Sequence, residues 1–370
     1  MKLTIERGTL LRSLGHVQSV VERRNTIPIL ANVQLEASGG KLALTATDLD
    51  LAIVETVETN IASEGATTVS AHTLFDIVRK LPEGAEVELS VGDDPRLSLK
   101  AGRSNFTLSC LPKDDFPVMS GGDMAHTFSV DAAELRRLID KSRFAISTEE
   151  TRYYLNGIYL HLADGDAPML RAVATDGHRL AQVETPAPAG SNGMPGVIVP
   201  RKTVGELRKL IDELAGDIEV SLSDTKIRFS FDGVIVTSKL IDGTFPDYTR
   251  VIPDGNEKML EADCHQLAEA VDRVSTISTD RTRSVKLNIE ADRIALSVNS
   301  PENGTATEEL AASYSADAME IGFNARYLLD ILSQVQGDVV QLELADGASP
   351  TILRDNADEG ALYVLMPMRV

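Results

Sequence analysis

The stretch Ala174–Ala181 reads A-T-D-G-H-R-L-A, and a second stretch, Ala46–Ala52, reads A-T-D-L-D-L-A. An alternating apolar run precedes each stretch and another follows it, which is the period-two pattern of β-strands. We therefore interpret each stretch as a corner between two strands, and the chain uses this corner twice. The second corner is longer by one residue and carries Gly-His-Arg, so we expect partner-specific chemistry there.

The composition is that of a globular protein with an acidic balance. The chain has 370 residues, of which 43% are hydrophobic and 4% aromatic, and its formal net charge is −20. The length predicts two or three domains, with cores of Leu, Ile, Val and Ala. The charge argues against a protein that coats nucleic acid, but it is compatible with one basic face.

Features of membrane and secreted proteins are missing from the sequence. No apolar run approaches the roughly 20 residues of a membrane span, and the N-terminal residues are too charged for a signal peptide. Cys110 and Cys264 have no metal-like spacing, so we predict that both are reduced core residues. These observations predict a soluble protein of a reducing compartment, without membrane contact.

One order of elements recurs three times along the chain. The segments Leu3–Glu6, Phe128–Asp131 and Leu260–Asp263 each read as a short strand that leads into a helix. A second helix of each repeat follows Ser70, Pro200 or Asn324, and strands fill the intervals. Alternating strands with two helices per repeat predict an α+β fold, in which helices cover one face of antiparallel sheets.

Three local predictions accompany this order of elements. The first helix is expected from Gly8 to about Val21, and one strand is expected over Leu51–Thr59. Pro112–Asp123 is rich in Pro, Gly and Asp, and it is predicted to be a linker between the first two repeats.

Motifs of common enzymes are absent from the sequence. It contains no phosphate-binding P-loop, no dinucleotide-binding glycine motif, no H-E-x-x-H and no G-x-S-x-G. Asp176 and His178 are compatible with half of a hydrolytic triad, but no nearby serine lies in a nucleophile motif. Asp48 and Asp50 suit a metal, or more simply a turn in which Asp accepts from its own backbone. We expect no catalytic residue, no metal and no cofactor.

Basic residues recur on or beside corresponding helices of the three repeats. A solvated helix face is often basic, but recurrence in related helices indicates contacts to phosphates without readout of bases. The basic residues concerned are Arg23, Arg24, Arg79, Lys80, Arg136, Arg137, Lys141, Arg143, Arg201, Lys202, Arg208, Lys209, Arg273, Arg281 and Arg283.

Five motifs together resemble the bacterial sliding clamp family, the beta subunit of the replicative DNA polymerase III. They are R-Y-Y-L-N-G at Arg152–Gly157, A-T-D-G-H-R-L at Ala174–Leu180, V-P-R-K at Val199–Lys202, F-P-D-Y at Phe245–Tyr248 and Y-V-L-M-P-M-R-V at Tyr363–Val370. The resemblance covers essentially the whole chain and implies clamp domains at 1–120, 128–250 and 251–370. It also implies a head-to-tail homodimeric ring, with helices lining the hole and antiparallel sheets outside, and no catalytic activity.

The resemblance further implies three groups of site residues. The DNA contacts are Arg24, Tyr153, Tyr154, Arg201 and Lys202. The dimer interface contains Arg96, Arg103, Phe106, Thr276 and Ile277, with the arginines facing acids such as Glu302, Glu308 and Glu309. The partner-peptide pocket is formed by Arg152, Leu155, Thr175, Gly177, His178, Arg179, Leu180, Pro246, Arg250, Val251, Val364, Leu365, Met366, Pro367, Met368 and Arg369. Four positions depart from the family pattern: His72, Glu149, Thr276 and Val370.

The expected function is that of a sliding clamp that encircles duplex DNA without sequence specificity and tethers a replicative polymerase. The implied partners are DNA, the polymerase subunit, the clamp loader and repair polymerases, the proteins binding through short peptides. The implied location is the cytoplasm, at the nucleoid. Two alternatives stay open at this point: a peptide-binding repeat adaptor that does not encircle DNA, and a hydrolase that uses Asp176 and His178.

Overall fold

The computed structural model describes residues 1–369 except 25, 93, 120–121, 164, 166 and 279–282, so Arg281 and Val370 lie outside the described residues. Six α-helices occur within these ranges: α1 (Arg7–Gln18), α2 (Ala71–Lys80), α3 (Ala132–Asp140), α4 (Arg201–Leu210), α5 (Cys264–Ser275) and α6 (Ala325–Leu332). None of the helices in the described ranges is long and apolar enough to cross a membrane.

The strands are numerous and short. They are β1 (Lys2–Glu6), β2 (Asn32–Ser38), β3 (Lys41–Thr47), β4 (Leu51–Glu58), β5 (Asn60–Ser63), β6 (Gly65–Ser70), β7 (Glu86–Ser90), β8 (Arg96–Ala101), β9 (Ser104–Leu111), β10 (His126–Asp131), β11 (Gly157–Ala163), β12 (Met169–Thr175), β13 (Arg179–Pro186), β14 (Val197–Pro200), β15 (Asp217–Leu222), β16 (Lys226–Phe231), β17 (Val234–Lys239), β18 (Lys258–Asp263), β19 (Ser284–Glu290), β20 (Arg293–Ser300), β21 (Gly304–Ala311), β22 (Ser313–Tyr314), β23 (Met319–Asn324), β24 (Val339–Leu344), β25 (Thr351–Asp355) and β26 (Asp358–Leu365).

Contacts divide the chain into two compact units. The first unit comprises Met1–Ala133, Pro188–Met194 and Lys202–Leu240, and the second comprises Glu134–Ala187, Pro195–Arg201 and Ile241–Val370. The first unit contains one sheet in the order β10-β15-β16-β17-β4-β3-β2-β6-β9-β8-β7-β1-β5. The second contains the sheets β14-β11-β12-β13-β26-β25-β24-β18-β22 and β21-β20-β19-β23. Strands of the second repeat are thus shared between the units, and the ladders among the described strands are antiparallel, as predicted.

Each repeat starts with a strand that runs straight into a helix, and an acid forms the boundary in all three. In the second repeat, the Asp131 carboxylate accepts a hydrogen bond from the Ala133 amide at 2.8 Å. The Glu6 carboxylate accepts a hydrogen bond from the Thr9 amide at 2.8 Å, and Asp263 accepts one from the Gln266 amide at 2.8 Å. Such caps satisfy amides that lack a partner in the first turn. The second helix is capped by Ser70 in the first repeat, as the sequence predicted.

Several details of the predicted elements are wrong. Helix α1 ends at Gln18, because Val20 and Val21 continue only as hydrogen-bonded turns. The strand expected over Leu51–Thr59 ends at Glu58. The sequence patterns missed several strands. One is β14, which has four residues and resembles any short apolar run. Another is β21, a polar edge strand that reads G-T-A-T-E-E-L-A.

The cores consist mainly of Leu, Ile, Val and Ala, as the composition predicted. Cys264 is buried and Cys110 is half-buried, and both are free thiols. Burial raises the pKa of the Cys264 thiol to about 11, so this thiol is an inert core group at neutral pH.

An ion cluster lies inside the second unit, between α3 and the β25–β26 hairpin. Lys141 Nζ lies 2.6 Å from the Asp358 carboxylate and 3.5 Å from that of Asp355, and Arg137 forms a two-pronged bond to Asp358. The Lys141 side chain is 4% exposed and that of Asp355 is 0% exposed. Burial alone would raise the pKa of Asp358, but hydrogen bonds from Arg137 and Lys141 lower this pKa to about 2. The cluster therefore depends on a carboxylate that stays ionised.

Replacing Asp358 with Asn is expected to reduce the free energy of unfolding by about 3 kcal/mol, because Lys141 and Arg137 lose a buried counter-charge. In the wild type, the pKa of Asp358 is lower in the folded state than the ordinary value of 3.8. Its stabilisation is therefore fully present above about pH 4 and is lost as the pH falls towards about 2. Urea unfolding followed by circular dichroism at pH values between about 2 and 4 and at neutral pH measures the free energy of unfolding of the wild type and of the variant.

Asp76→Asn is the matched control, because Asp76 forms an exposed ion pair with Arg79 on α2. We expect little change from it. Equal effects of the two substitutions would contradict a stabilising role for the buried cluster.

Candidate functional site

The second corner is a tight turn that is held by its own side chains. Strand β12 ends at Thr175, whose hydroxyl donates to the Arg179 carbonyl at 2.7 Å. The Asp176 carboxylate accepts from the amides of His178 and Arg179 at 2.9 and 3.1 Å. Gly177 takes a φ of +88°, which favours glycine. The Thr-Asp pair thus fixes the corner locally.

The first corner has the same geometry and the same length. The Thr47 hydroxyl donates to the Leu51 carbonyl at 2.9 Å, and Asp48 accepts from the amides of Asp50 and Leu51 at 3.0 and 2.7 Å. Leu49 takes the left-handed conformation, with a φ of +79°. The prediction of one extra residue in the second corner is therefore wrong: the two corners align residue for residue and differ in their side chains.

Arg179 follows the second corner, and its side chain points into the protein. Its guanidinium bonds Asp330 at 2.5 Å, Asp176 at 3.1 Å and the Phe144 carbonyl at 2.7 Å. It also lies 4.4 Å from the centre of the Tyr327 ring, and Arg179 is 9% exposed. These contacts join the corner to helix α6. The Arg179 side chain, which the sequence analysis placed in the pocket, is therefore already bonded within the protein.

The C-terminal segment runs beside the second corner, as the sequence prediction requires. Leu180 pairs with Val364 in the β13–β26 ladder, and the Met366 amide then donates to the His178 carbonyl at 2.9 Å. Val364 and Leu365 are buried, whereas Met366 is 40% exposed. The last strand is thus buried as far as Leu365, and Met366 starts the accessible part of the segment.

Several predicted pocket residues share one apolar cluster. Its predicted members are Leu155, Leu180 and Val364, and its other buried members are Val173, Ile198, Phe245, Tyr248, Ile352 and Leu362. The three-residue-per-turn helix Tyr248–Val251 extends from this cluster, and Val251 is 48% exposed. Buried apolar residues below and exposed ones at the surface are typical of sites for apolar side chains of a ligand.

The other predicted pocket residues are polar or lie at the rim. Arg152 bonds Glu149 at 2.7 Å, and its Nη1 atom would lie 2.6 Å from a Cβ added at Gly177. Arg250 is exposed and bonds Asp247 at 2.8 Å. Of the remaining positions, Thr175, Pro367 and Met368 are half-buried and Gly177, His178, Pro246 and Arg369 are exposed.

The structure gives no support to a catalytic corner. Asp176 is occupied by two amides and Arg179, and the His178 ring stacks on Tyr327 at 5.9 Å between centres. No hydrogen bond joins the His178 ring to a carboxylate or a hydroxyl within the described residues. The described ranges contain no cluster of three or more His, Cys, Asp or Glu that suits a metal ion.

The predicted DNA-contacting residues differ in exposure and in whether their side chains already form ion pairs. Tyr153 is 53% exposed and packs edge-on against Tyr154. Arg24 and Arg201 are exposed and form no ion pair among the described residues. Lys202, in contrast, is bound by the Asp48 carboxylate of the first corner and by the Val20 carbonyl at 3.2 Å.

A polar cavity of about 520 Å³ lies next to the second corner, within the second unit. Arg143, Arg201 and Arg326 line it together with His178. The carboxylates of Glu149, Asp176 and Asp330 also line the cavity, so Arg201 lies in a recess of mixed charge.

The predicted dimer residues lie at or near open strand edges. Among the described strands, β9 pairs with β8, but with β6 only through Cys110 and Leu111, so Phe106 lies where one edge has no partner there. Strand β21 pairs with β20 alone among the described strands. Phe106 and Ile277 are half-buried, and Arg103 and Thr276 are exposed. Arg96 bonds Asp94, Glu308 bonds Arg273, Glu309 bonds Arg293, and Glu302 is exposed.

Family models match nearly the whole chain. Those of the DNA polymerase III beta subunit match residues 1–120 with the N-terminal domain, 129–247 with the central domain and 249–369 with the C-terminal domain. The chain belongs to the DNA polymerase III beta subunit family. The Beta sliding clamp of Caulobacter vibrioides is 56% identical and that of Escherichia coli K12 is 40% identical, each covering 100% of both chains.

Solved structures of the family have the same fold. The DnaN sliding clamp from Bartonella birtlesii, which was crystallised with griselimycin, is 54% identical over 100% of both chains, with a TM-score of 0.98. The clamp from Pseudomonas aeruginosa is 40% identical over 100% of both chains, with a TM-score of 0.94. These relatives confirm the predicted family, the three-domain clamp fold and the function as a sliding clamp in DNA replication.

The sequence reasoning missed the residues that anchor the second corner. Phe144, Tyr327 and Asp330 surround the Arg179 guanidinium, yet none belongs to a predicted site. One signal was available, because Asp330 occupies the same helix position as Asp76 of the first repeat. Its partner, 151 residues away, could not be inferred from that position.

Arg179→Ala is expected to loosen the corner while the unit stays folded. Removing charge-assisted bonds at Asp330 should make local opening easier by about 2 kcal/mol, or about 30-fold. Hydrogen exchange of the peptide that contains Met366 measures this opening, because the Met366 amide donates a hydrogen bond to the His178 carbonyl of the corner. Arg250→Ala, which removes an exposed ion pair, is the control. Unchanged exchange in Arg179→Ala would show that Arg179 does not hold the corner.

Proposed function

We propose that two copies of the chain close into a ring around duplex DNA and tether a replicative polymerase, without any catalytic step. The full-length match to the beta subunit family carries this proposal. The clamp domains are expected at 1–120, 128–250 and 251–370. The ring would act in the cytoplasm, at the nucleoid, and would need no cofactor.

The open edges of β9 and β21 support a head-to-tail dimer. Unpaired strand edges bind other strands readily, and a closed two-fold ring satisfies both edges in each copy. Phe106 and Ile277 would form the apolar centre of each interface. The two chains of 39.9 kDa would sediment as a species of about 80 kDa.

DNA binding is expected to depend on phosphates and not on sequence, because the available groups are guanidinium and phenol side chains such as Arg24, Arg201 and Tyr153. Such binding weakens steeply with salt as counterions are released. Lys202 forms an ion pair with Asp48, whereas its neighbour Arg201 has no ion-pair partner among the described residues. The contributions of these two side chains to DNA binding can therefore be compared.

Arg201→Ala is expected to reduce the slope of log K against log salt by about 1, whereas Lys202→Ala should change it less. Fluorescence anisotropy of a labelled duplex between about 50 and 200 mM salt measures the slope. If Lys202→Ala reduced the slope as much as Arg201→Ala, the Asp48 ion pair would not hold Lys202 in solution.

The apolar cluster beside Met366 is proposed to bind short peptides of the polymerase, the clamp loader and repair polymerases. Such peptides would carry Gln, then Leu or Met, then Phe. Burying one Leu and one Phe contributes roughly 3–6 kcal/mol before the cost of ordering the peptide. Isolated peptides are therefore expected to bind at about micromolar strength and to compete for one pocket per chain.

Deleting Met366–Val370 is expected to abolish binding of a clamp-loader peptide while the dimer persists. Isothermal titration calorimetry and sedimentation measure the two properties. Met259→Ala is the matched control, because Met259 is 43% exposed in the same unit but lies outside the predicted pocket. Normal peptide binding by the truncated chain would place the pocket elsewhere.

The two alternative functions give different results. A repeat adaptor would bind the peptide but would not be loaded onto nicked circular DNA by a clamp loader. A hydrolase would lose turnover when His178 is replaced. We favour the clamp, because the Asp176 carboxylate is already occupied by backbone amides and Arg179.

A further inference from the structure

Each unit contains one corner and one strand that pairs with it from far along the chain. In the second unit Arg179 pairs with Leu365, and in the first unit Leu51 pairs with Ser238. The next amide then bonds the corner in both. Met366 donates to the His178 carbonyl at 2.9 Å, and Lys239 donates to the Asp50 carbonyl at 2.8 Å. Lys239 therefore occupies the position of Met366, and Asp50 occupies that of His178.

The side chains at these matched positions differ in kind. In the first unit Lys239 Nζ lies 2.9 Å from the Asp50 carboxylate, so an ion pair spans the corner. In the second unit the His178 ring stacks on Tyr327, and the Met366 side chain is 40% exposed. The first corner is thus covered by charge where the second presents an apolar side chain.

The residues beneath the two corners differ in the same sense. Strand register matches five apolar residues of the second cluster to polar or smaller residues in the first unit, whereas Leu362 corresponds to the apolar Ile235. The matched pairs are Val173 and Thr45, Leu180 and Ala52, Ile198 and Thr68, Ile352 and Arg228, and Val364 and Thr237. Arg228 Nε is buried without a hydrogen-bond partner among the described residues. An apolar ligand would leave such groups unsatisfied.

We propose that the residue pair at these two matched positions decides which corner binds an apolar peptide. Met366 and His178 keep the second corner open, and the Asp50–Lys239 ion pair closes the first. The physical reason is desolvation: a peptide that covered the ion pair would have to remove both charges from water. This inference rests on the proposed peptide-binding function, and it makes positions 178 and 366 determinants of specificity.

The test moves the ion pair from the first corner to the second. The double variant His178→Asp with Met366→Lys places in the second corner the two residues that already coexist in the first. Its affinity for a synthetic peptide with the Gln, Leu and Phe pattern should fall at least about 100-fold. The loss should be smaller than the product of the losses in the two single variants, because each single variant leaves an unpaired charge that costs more to remove from water than a paired one. Met366→Ala controls for removal of the apolar side chain.

Calorimetry gives both the affinity and the number of peptides per chain. One peptide per wild-type chain and a large but less than multiplicative loss in the double variant are the expected results. Binding by the double variant within about threefold of wild type, a loss equal to the product of the single losses, or two peptides per wild-type chain would each overturn the inference. No peptide binding by the wild type would instead refute the proposed peptide function.

Folding of the double variant is checked independently. Sedimentation should show the wild-type oligomer, and the salt dependence of duplex binding should match that of the wild type, because neither position belongs to the predicted DNA contacts. If these controls fail, the same comparison is made with Met366→Glu and His178→Lys, which install the pair in the opposite order.

Discussion

Antiparallel pairing between strands far apart in the chain is the interaction on which both units depend. Strand β13 pairs with β26 in the second unit, and β4 pairs with β17 in the first. Each ladder extends one sheet across two repeats and places a strand end beside a corner. Because the ladder consists of backbone hydrogen bonds, it specifies the position of the corner but leaves the side chains there free to vary.

Charged groups then fix the helices against these sheets. Arg137 of α3 and Lys141, which directly follows α3, both bind Asp358 at the start of β26, and Arg179 binds Asp330 on α6. Buried ion pairs add little net stability, because desolvation offsets much of their attraction. They do penalise any arrangement that leaves one partner unpaired, and we infer that they define how the elements pack.

The same scaffold thus supports two different surfaces. In the first unit, the Asp50–Lys239 ion pair lies across the corner. Asp48 of the same corner binds Lys202, a residue that the sequence alone would assign to DNA. In the second unit, the comparable positions carry His178 and Met366 over an apolar cluster. A ring that slides on DNA benefits from weak, exchangeable contacts, and neither surface requires catalytic groups.

The sequence by itself determined the elements whose signals are local. The Thr-Asp corners, the apolar helix faces and the order of each repeat follow from spacing over a few residues, and five motifs identified the family. Tertiary structure alone decided which charged side chains form ion pairs with distant residues. Arg179 meets Asp330 across 151 residues, and Lys202 meets Asp48 across 154 residues. Periodicity reports which face a residue occupies, but not which distant group it meets. For this reason the role of Arg179, the engagement of Lys202 and the equal length of the two corners appeared only in the folded chain.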